Sequence, residues 1–192
     1  MNLLQERIQK EGKVLPGNIV KVDGFLNHRV DVAFLKEIAE DFYRIFKDEK
    51  PTMIATIEAS GIALATVCAD RFGIPMIFAK KAKSDNIEGG LYQSEIFSYT
   101  YKKKVNLILA AEWLGPSERV LIIDDFLANG EALRGLLDII RQSGAETVGV
   151  GIAVEKGFQP GGARLREQGV NLHSLAIIES AENGKIIFRD SE

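Results

Sequence analysis

The chain has 192 residues, of which 46% are hydrophobic, so it is long enough to bury the core of one globular domain. Its 24 basic and 27 acidic residues give a net charge of −3, which argues against a nucleic-acid or anionic-membrane binder, because such proteins normally carry a basic face. No apolar run approaches the roughly 18–20 residues that span a bilayer, and residues 1–12 lack the apolar core of a secretory signal, so we expect a cytoplasmic protein.

The order of predicted elements indicates an α/β fold. Helical patterns cover about residues 1–12 and 31–47, and residues 52–57 predict a strand without polar alternation, typical of a strand covered on both faces. A helix over about residues 61–71 ends at Gly73, and residues 75–79 predict the next strand. Cys68 lies among apolar residues of this helix and is expected to be a buried, inert thiol.

The second half of the chain continues this alternation after an interruption. Residues 80–104 are polar and basic, with Gly89-Gly90 beside aromatic residues, and predict a mobile hairpin or flap. Strands over residues 105–111, 120–124 and 147–154 follow, with a helix over about 131–143 that ends at Gly144, and residues 171–189 predict one or two further strands. We therefore expect one domain over residues 1–192, a doubly wound, mostly parallel twisted sheet flanked by helices, with residues 1–50 as an N-terminal addition.

Residues 120–132 are the most informative part of the chain. An apolar strand ends in Asp124 and Asp125, and a turn of small residues then opens a helix. The free backbone N–H groups of such a turn and the helix dipole favour a phosphate, while strand-end carboxylates can accept hydrogen bonds from ribose hydroxyls and help to hold a divalent cation. The alternative is a pair of acids that only cap a helix or lie in water at the sheet edge.

This segment resembles the signature with which type I phosphoribosyltransferases bind phosphoribosyl pyrophosphate (PRPP). In that family an apolar strand leads to Asp-Asp and a Thr/Gly-rich turn, and the run Asp-Asp-Phe-Leu-Ala-Asn-Gly is similar to the xanthine-specific branch in particular. The resemblance implies that Asp124 and Asp125 are catalytic. It also implies that the turn binds PRPP through Ala128, Asn129, Gly130, Glu131 and Ala132.

Three of these turn residues depart from the commonest form of the signature. Asn129 stands where Thr is usual, Glu131 where Gly is usual, and Ala132 where a hydroxyl residue is usual. Asn129 can still form hydrogen bonds, and Ala132 can still offer its N–H. The carboxylate of Glu131 would repel a phosphate unless its side chain turns outward.

The ends of the strands over residues 52–57 and 75–79 carry a second candidate anion site. The first ends in Glu58-Ala59-Ser60-Gly61 and opens a helix, and the resemblance implies that Ala59, Ser60 and Gly61 hold the pyrophosphate of PRPP. The alternative for Ser60 is an ordinary N-cap. The next strand ends in a lysine-rich run in which the resemblance favours Lys81 as a pyrophosphate ligand, although such runs are often only solvated surface.

The wall for a base is also predicted from the resemblance. Lys156 follows the strand over residues 147–154 and would donate to the exocyclic oxygen at position 6 of a purine; an ion pair with Glu155 is the alternative. Phe126 and Phe158 are candidates to stack on the base, and either could equally belong to the core.

The N-terminal addition would close this base site as a hood. Residues 21–28 resemble the hood of the xanthine-specific branch, which assigns Val20, through its backbone, and Asn27, through its amide, to xanthine binding. The Asn27 amide can match the carbonyl and the adjacent N–H at position 2 of xanthine. The alternative for Asn27 is a turn residue before His28.

Taken together, the resemblance implies transfer of the 5-phosphoribosyl group from PRPP to N9 of xanthine, giving xanthosine 5′-monophosphate and pyrophosphate for purine salvage. Mg²⁺ would be bound largely through PRPP, so no all-protein metal site is expected, and a homodimer is the family expectation. Specificity for hypoxanthine/guanine or adenine, or a non-catalytic PRPP-sensing regulator of the same fold, are the alternatives.

Overall fold

A computed structural model of the chain describes residues 1–82, 90–98, 103–182 and 184–189. Five α-helices and ten strands are found in these ranges. In chain order they are α1 (Leu3–Glu11), β1 (Lys13–Leu15), β2 (Ile19–Lys21), α2 (Val32–Phe46), β3 (Met53–Ile57), α3 (Gly61–Phe72), β4 (Met76–Ala82), β5 (Leu91–Ser98), β6 (Lys103–Ala110), β7 (Arg119–Leu127), α4 (Glu131–Ser143), β8 (Glu146–Lys156), α5 (Gly161–Glu167), β9 (Leu172–Glu182) and β10 (Lys185–Phe188).

Eight strands form one sheet in the order β10-β9-β8-β7-β3-β4-β6-β5, and β1 and β2 form a separate antiparallel pair. The five central strands from β9 to β4 are parallel, while β10, β6 and β5 are antiparallel to their neighbours. The predicted mostly parallel α/β sheet is therefore confirmed. Because β9 is parallel to β8, the parallel part of the sheet extends one strand beyond the strand that carries Lys156.

The core lies on both faces of the sheet. Along β7, Leu121 and Ile123 belong to an apolar cluster that includes α2 and α3, while Val120 and Ile122 belong to a second cluster that includes α4. This alternation follows from the two-residue repeat of a strand, and burial on both faces explains why β7 reads as a continuous apolar run. Cys68 lies in the first cluster and is fully buried, as predicted, and burial raises the pKa of its thiol.

Several boundaries differ from the prediction. The β1–β2 hairpin and α5 were not predicted, and β7 runs through the acidic pair to Leu127 instead of ending at residue 124. The predicted flap over residues 80–104 falls partly outside the described residues; the described part shows β5 paired antiparallel with β6. The two N-terminal helices and α4 have the predicted positions. Among the described residues, no helix is long and apolar enough to cross a membrane.

Candidate active site

The two adjacent carboxylates at the end of β7 have different surroundings, because consecutive side chains of a strand point to opposite faces. Asp124 lines a cavity of about 210 Å³ together with Lys81, Phe126 and residues 128–133. Asp125 is only 3% exposed. Its Oδ1 accepts a hydrogen bond from the Ser60 hydroxyl at 3.0 Å, and its Oδ2 accepts one from the Asn27 amide at 2.6 Å. The predicted acidic pair therefore contains one carboxylate that faces the cavity and one that is anchored in the protein.

Asp124 occupies a confined position at the carboxyl end of β7. The Thr56 hydroxyl donates to its Oδ1 at 3.4 Å, and a Cβ built on Gly61 would lie 2.2 Å from the same oxygen. Only glycine at position 61 leaves room for the carboxylate. Burial and, after it, the negative charge of Asp125 raise the pKa of Asp124 well above its usual range. An approaching cation or hydroxyl donor would favour its ionised form.

Residues 128–132, which lead into the N-terminus of α4, are the turn that the sequence predicts to bind a phosphate, and we call them the phosphate loop. Gly130 has φ +83°, a left-handed conformation that glycine adopts without strain, and it is the N-cap of the helix. The first backbone hydrogen bond of α4 runs from the N–H of Arg134 to the carbonyl of Gly130. The N–H groups of Glu131 and Ala132 precede this bond, so they are available to an anion.

Helix α5 contacts the backbone of the phosphate loop through its first residue, Gly161. The N–H of Gly161 donates to the carbonyl of Ala128 at 3.2 Å, and a Cβ on Gly161 would lie 2.2 Å from that oxygen. The two backbones can approach so closely only because residue 161 has no side chain. This helix was missed in the sequence, although Pro160 followed by Gly161-Gly162 marks a turn and the start of a helix.

Glu131, the acidic residue of the phosphate loop, forms an ion pair with Arg134. The Glu131 carboxylate lies 3.1 Å from the guanidinium of Arg134, one turn further along α4, and Arg134 also donates to the carbonyl of Glu95. The ion pair turns the Glu131 charge towards a cation on its own helix. The repulsion that this carboxylate would exert on a phosphate in the loop is thereby reduced.

The strand end of β3 holds the second predicted anion site. Ser60 is the N-cap residue of α3, but its side chain makes no capping hydrogen bond and donates to Asp125 instead. The peptide bond between Glu58 and Ala59 is cis. The Glu58 carboxylate accepts from the backbone N–H of Lys81 at 2.6 Å, which ties this strand end to β4. Lys81, the predicted pyrophosphate ligand, is exposed and faces the same cavity as Asp124.

Phe126, which directly follows the acidic pair, lies close to Lys156, so two of the predicted base ligands are brought together. The Nζ of Lys156 is 5.9 Å from the ring centroid of Phe126, within the range of a cation–π contact. Lys156 is half-buried, and this burial lowers the pKa of its ammonium group. Its predicted alternative partner, Glu155, forms its ion pair with Arg166 instead. Of the two candidate aromatic residues, Phe126 lines the cavity, whereas Phe158 is 38% exposed.

The N-terminal hood reaches the acidic pair through Asn27. Its half-buried side chain donates to Asp125 across 98 positions of sequence. Val20, on β2, is 6% exposed and packs in the apolar cluster, which leaves its backbone as the part that could meet a ligand. The structure therefore brings the hood, the strand end of β3 and the acidic pair together around Asp125. These contacts join segments far apart in the chain, so the spacing of residues in the sequence could not predict them.

Comparison with known proteins agrees with this geometry. Residues 30–163 match the model of the phosphoribosyl transferase domain. The chain is 53% identical to a xanthine phosphoribosyltransferase of Lachnoclostridium phytofermentans, with 98% of both chains covered, and 50% identical to one of Ruminiclostridium cellulolyticum, with 99% and 100% covered.

Solved structures with the same fold include the APRTase from Giardia lamblia complexed with 9-deazaadenine, with TM-score 0.77, 20% identity, and 91% and 97% of the two chains covered. The adenine phosphoribosyl transferase of Trypanosoma brucei has TM-score 0.74 and 19% identity, with 90% and 78% covered. At these identities the structures support the fold alone. The matched domain and the relatives that span nearly the whole sequence show that this chain belongs to the phosphoribosyltransferase family.

Proposed function

We propose that this chain transfers the 5-phosphoribosyl group of PRPP to N9 of xanthine, giving xanthosine 5′-monophosphate and pyrophosphate. The observation that carries the proposal is the hydrogen bond between Asn27 and Asp125, which joins the hood to the acidic pair beside the phosphate loop. It occurs in a chain whose relatives at 46–53% identity are named xanthine phosphoribosyltransferase.

PRPP fits the cavity side of the acidic pair. The phosphate loop binds the 5-phosphate through the N–H groups that open α4, because the helix N-terminus favours an anion. Ala59, Ser60 and Gly61 lie beneath the pyrophosphate, with Lys81 as its cationic partner. Asp124, which faces the cavity, accepts hydrogen bonds from the ribose hydroxyls.

The base fits between Lys156, Phe126 and the hood. The ammonium group of Lys156 has only donors, so it suits the 6-oxo group of xanthine and is a poor partner for the 6-amino group of adenine. The ring of Phe126, beside Lys156, supports the face of the purine. The amide of Asn27 and the backbone of Val20 meet the edge at position 2.

The site also fits Mg²⁺. Asp124 would supply the hard carboxylate oxygens that Mg²⁺ prefers, and a Mg²⁺ site that keeps waters and substrate phosphates needs few protein ligands. When bound with PRPP, Mg²⁺ supplies charge neutralisation of the leaving pyrophosphate.

Electrostatics then account for catalysis by these residues. As the bond from N9 to C1′ forms and the bond from C1′ to the pyrophosphate oxygen breaks, positive charge develops on the ribosyl ring and negative charge on the leaving group. The fixed carboxylates of Asp124 and Asp125 stabilise the ribosyl charge, and Lys81 and the N–H groups near Ser60 stabilise the pyrophosphate.

We also propose that two copies of the chain form a homodimer through the apolar groove beside β4 and β6. Trp113 and Phe78 are 63% and 37% exposed there, and the groove has a volume of about 660 Å³. Light scattering after size-exclusion chromatography should give twice the mass of 21.2 kDa. Trp113→Glu should shift the protein towards a monomer, and a wild-type monomer at micromolar concentration would contradict this assembly.

An assay with separate bases tests the proposed reaction. Purified protein is incubated with PRPP, Mg²⁺ and either xanthine, hypoxanthine, guanine or adenine, and nucleotide and pyrophosphate are quantified. We expect the highest kcat/KM with xanthine. A preference for adenine would overturn the assignment of Lys156, and turnover with none of the bases would overturn the proposed reaction.

A further inference from the structure

Asp125 is the more enclosed of the two carboxylates of the acidic pair. It is 3% exposed, so substrate cannot reach it freely, and each of its two oxygens already accepts a hydrogen bond. The donors come from distant segments, Ser60 at the end of β3 and Asn27 in the N-terminal hood. An enclosed carboxylate with two side-chain donors can act by fixing the orientation of those donors.

The hydrogen bond to the Asp125 carboxylate sets the orientation of the Asn27 amide. An ionised carboxylate has only acceptor atoms, whereas a primary amide has a donor end and an acceptor end that exchange when the group turns by 180°. With Asp125 at 2.6 Å, the NH₂ group of Asn27 must face the carboxylate, because the reversed amide would place two oxygens against each other. The carbonyl oxygen and one N–H of Asn27 then remain for a ligand.

Such a fixed amide distinguishes purines by their substituent at C2. Xanthine has a carbonyl oxygen at this position and an N–H on either side of it, which together match one donor and one acceptor. Hypoxanthine carries only a C–H at C2, so one group of the amide would lose its partner on binding. Unpaired buried polar groups are the strongest source of discrimination between similar ligands.

We propose that Asp125 is a positioning residue that fixes the donor and acceptor ends of the Asn27 amide and so selects purines with a 2-oxo group over hypoxanthine. This inference rests on the proposed function. Ser60 holds the other oxygen of Asp125, so the carboxylate cannot turn away from Asn27 without losing a second hydrogen bond. The same residue therefore connects the base wall with the loop assigned to pyrophosphate.

A double-mutant cycle on selectivity tests the coupling. The ratio of kcat/KM for xanthine to that for hypoxanthine is measured for the wild type, Asp125→Ala, Asn27→Ala and the double variant. We expect Asp125→Ala to lower the ratio by about tenfold or more, the scale of one lost hydrogen bond to a charged group, and the double variant to lower it no further than Asn27→Ala does. An unchanged ratio in Asp125→Ala, or an equal further fall in the Asn27→Ala background, would overturn the proposal.

Asp124→Asn is the matched control, since it alters the neighbouring carboxylate that faces the cavity. It should slow turnover of both bases alike and leave their ratio unchanged, because Asp124 makes no contact with Asn27 among the hydrogen bonds of the described chain. A fall of the ratio in this variant equal to that in Asp125→Ala would show a general effect of charge and refute the specific role of Asp125.

A readout without turnover separates this inference from the proposed reaction. In ¹H–¹⁵N spectra, the side-chain amide of Asn27, assigned by its loss in Asn27→Ala, should show one proton shifted by its carboxylate partner. The shift should disappear in Asp125→Ala, or in Asp125→Asn if the alanine variant does not fold. An unaffected signal overturns the positioning role alone, whereas a wild type that uses no base overturns the reaction and, with it, the role in selectivity.

Discussion

The buried ion pair between Glu155 and Arg166 gives a prediction whose size can be worked out from the structure. Glu155 is 2% exposed, and its carboxylate accepts hydrogen bonds from the two terminal nitrogens of Arg166 at 2.8 and 2.7 Å. Arg166→Met keeps much of the aliphatic volume but leaves the buried carboxylate without its cation. Breaking such a pair costs about 3–5 kcal/mol, and because 35% of the Arg166 side chain reaches solvent, we expect a loss of about 3 kcal/mol in the free energy of unfolding.

The pH dependence of this loss has a definite sign. Burial alone would raise the pKa of Glu155, but hydrogen bonds from Arg166 and Ser174 outweigh burial and lower it. A carboxyl with a lowered folded-state pKa contributes stability above its unfolded pKa and loses that contribution as the pH falls through the folded value. The difference between wild type and Arg166→Met should therefore be full at pH 7 and shrink below the usual value of 4.5.

Equilibrium unfolding in urea at pH 7 and at pH 4 measures both effects. Arg164→Met is the matched control, because Arg164 lies on the same short helix with an exposed side chain, and it should change the free energy of unfolding by less than about 0.5 kcal/mol. The double variant Glu155→Gln/Arg166→Met should recover part of the loss, since no buried charge remains. A loss in Arg166→Met no larger than that in Arg164→Met would refute the reasoning.

Three further predictions concern the candidate active site. Gly61→Ala would place a Cβ 2.2 Å from Asp124 Oδ1 and from Thr56 Oγ1, so kcat/KM should fall by at least about 100-fold, while Gly115→Ala, with open space around it, should keep wild-type activity. Asp124→Asn should lower kcat by about 100-fold or more, yet its free energy of unfolding in urea at pH 8 should not fall, because a raised folded-state pKa means that ionisation of Asp124 weakens the fold as the pH rises. Lys156→Met should raise the KM for xanthine by about tenfold or more and leave the calorimetric affinity for PRPP unchanged, since Lys156 lies beside Phe126 on the base side. Retained activity in Gly61→Ala would contradict the first prediction, and a clear loss of stability in Asp124→Asn would contradict the second. A loss of PRPP affinity in Lys156→Met as large as the loss for xanthine would contradict the third.

The parts of the fold that sequence reasoning predicted are those with strong local signals. Helix α4 was predicted at its observed bounds, Glu131–Ser143, because its amphipathic repeat is regular and Gly144 ends it in a left-handed conformation. The buried run before Asp124 predicted a central parallel strand, and β7 has parallel neighbours on both sides. In each case the signal lies within about a dozen consecutive residues.

The parts that were missed depend on contacts between distant segments. The predicted boundary of β7 was too early because Phe126 and Leu127 stay in the strand through pairing with β8. The sequence could not show whether the Ser60 hydroxyl caps α3 or donates to Asp125, because a Ser just before a helix is compatible with both roles. The contact of Gly161 with Ala128 joins positions whose proximity no local pattern records.

The hydrogen bond between Asn27 and Asp125 also limits how this protein could be redesigned. The matched family domain begins at residue 30, so Asn27 comes from outside it, whereas Asp125 lies within it. A chimaera that exchanged residues 1–29 for those of a relative would leave an enclosed carboxylate with only the Ser60 donor, unless the graft supplied a replacement. Altering base preference by exchanging this segment therefore requires choosing the new residue opposite Asp125 together with the graft.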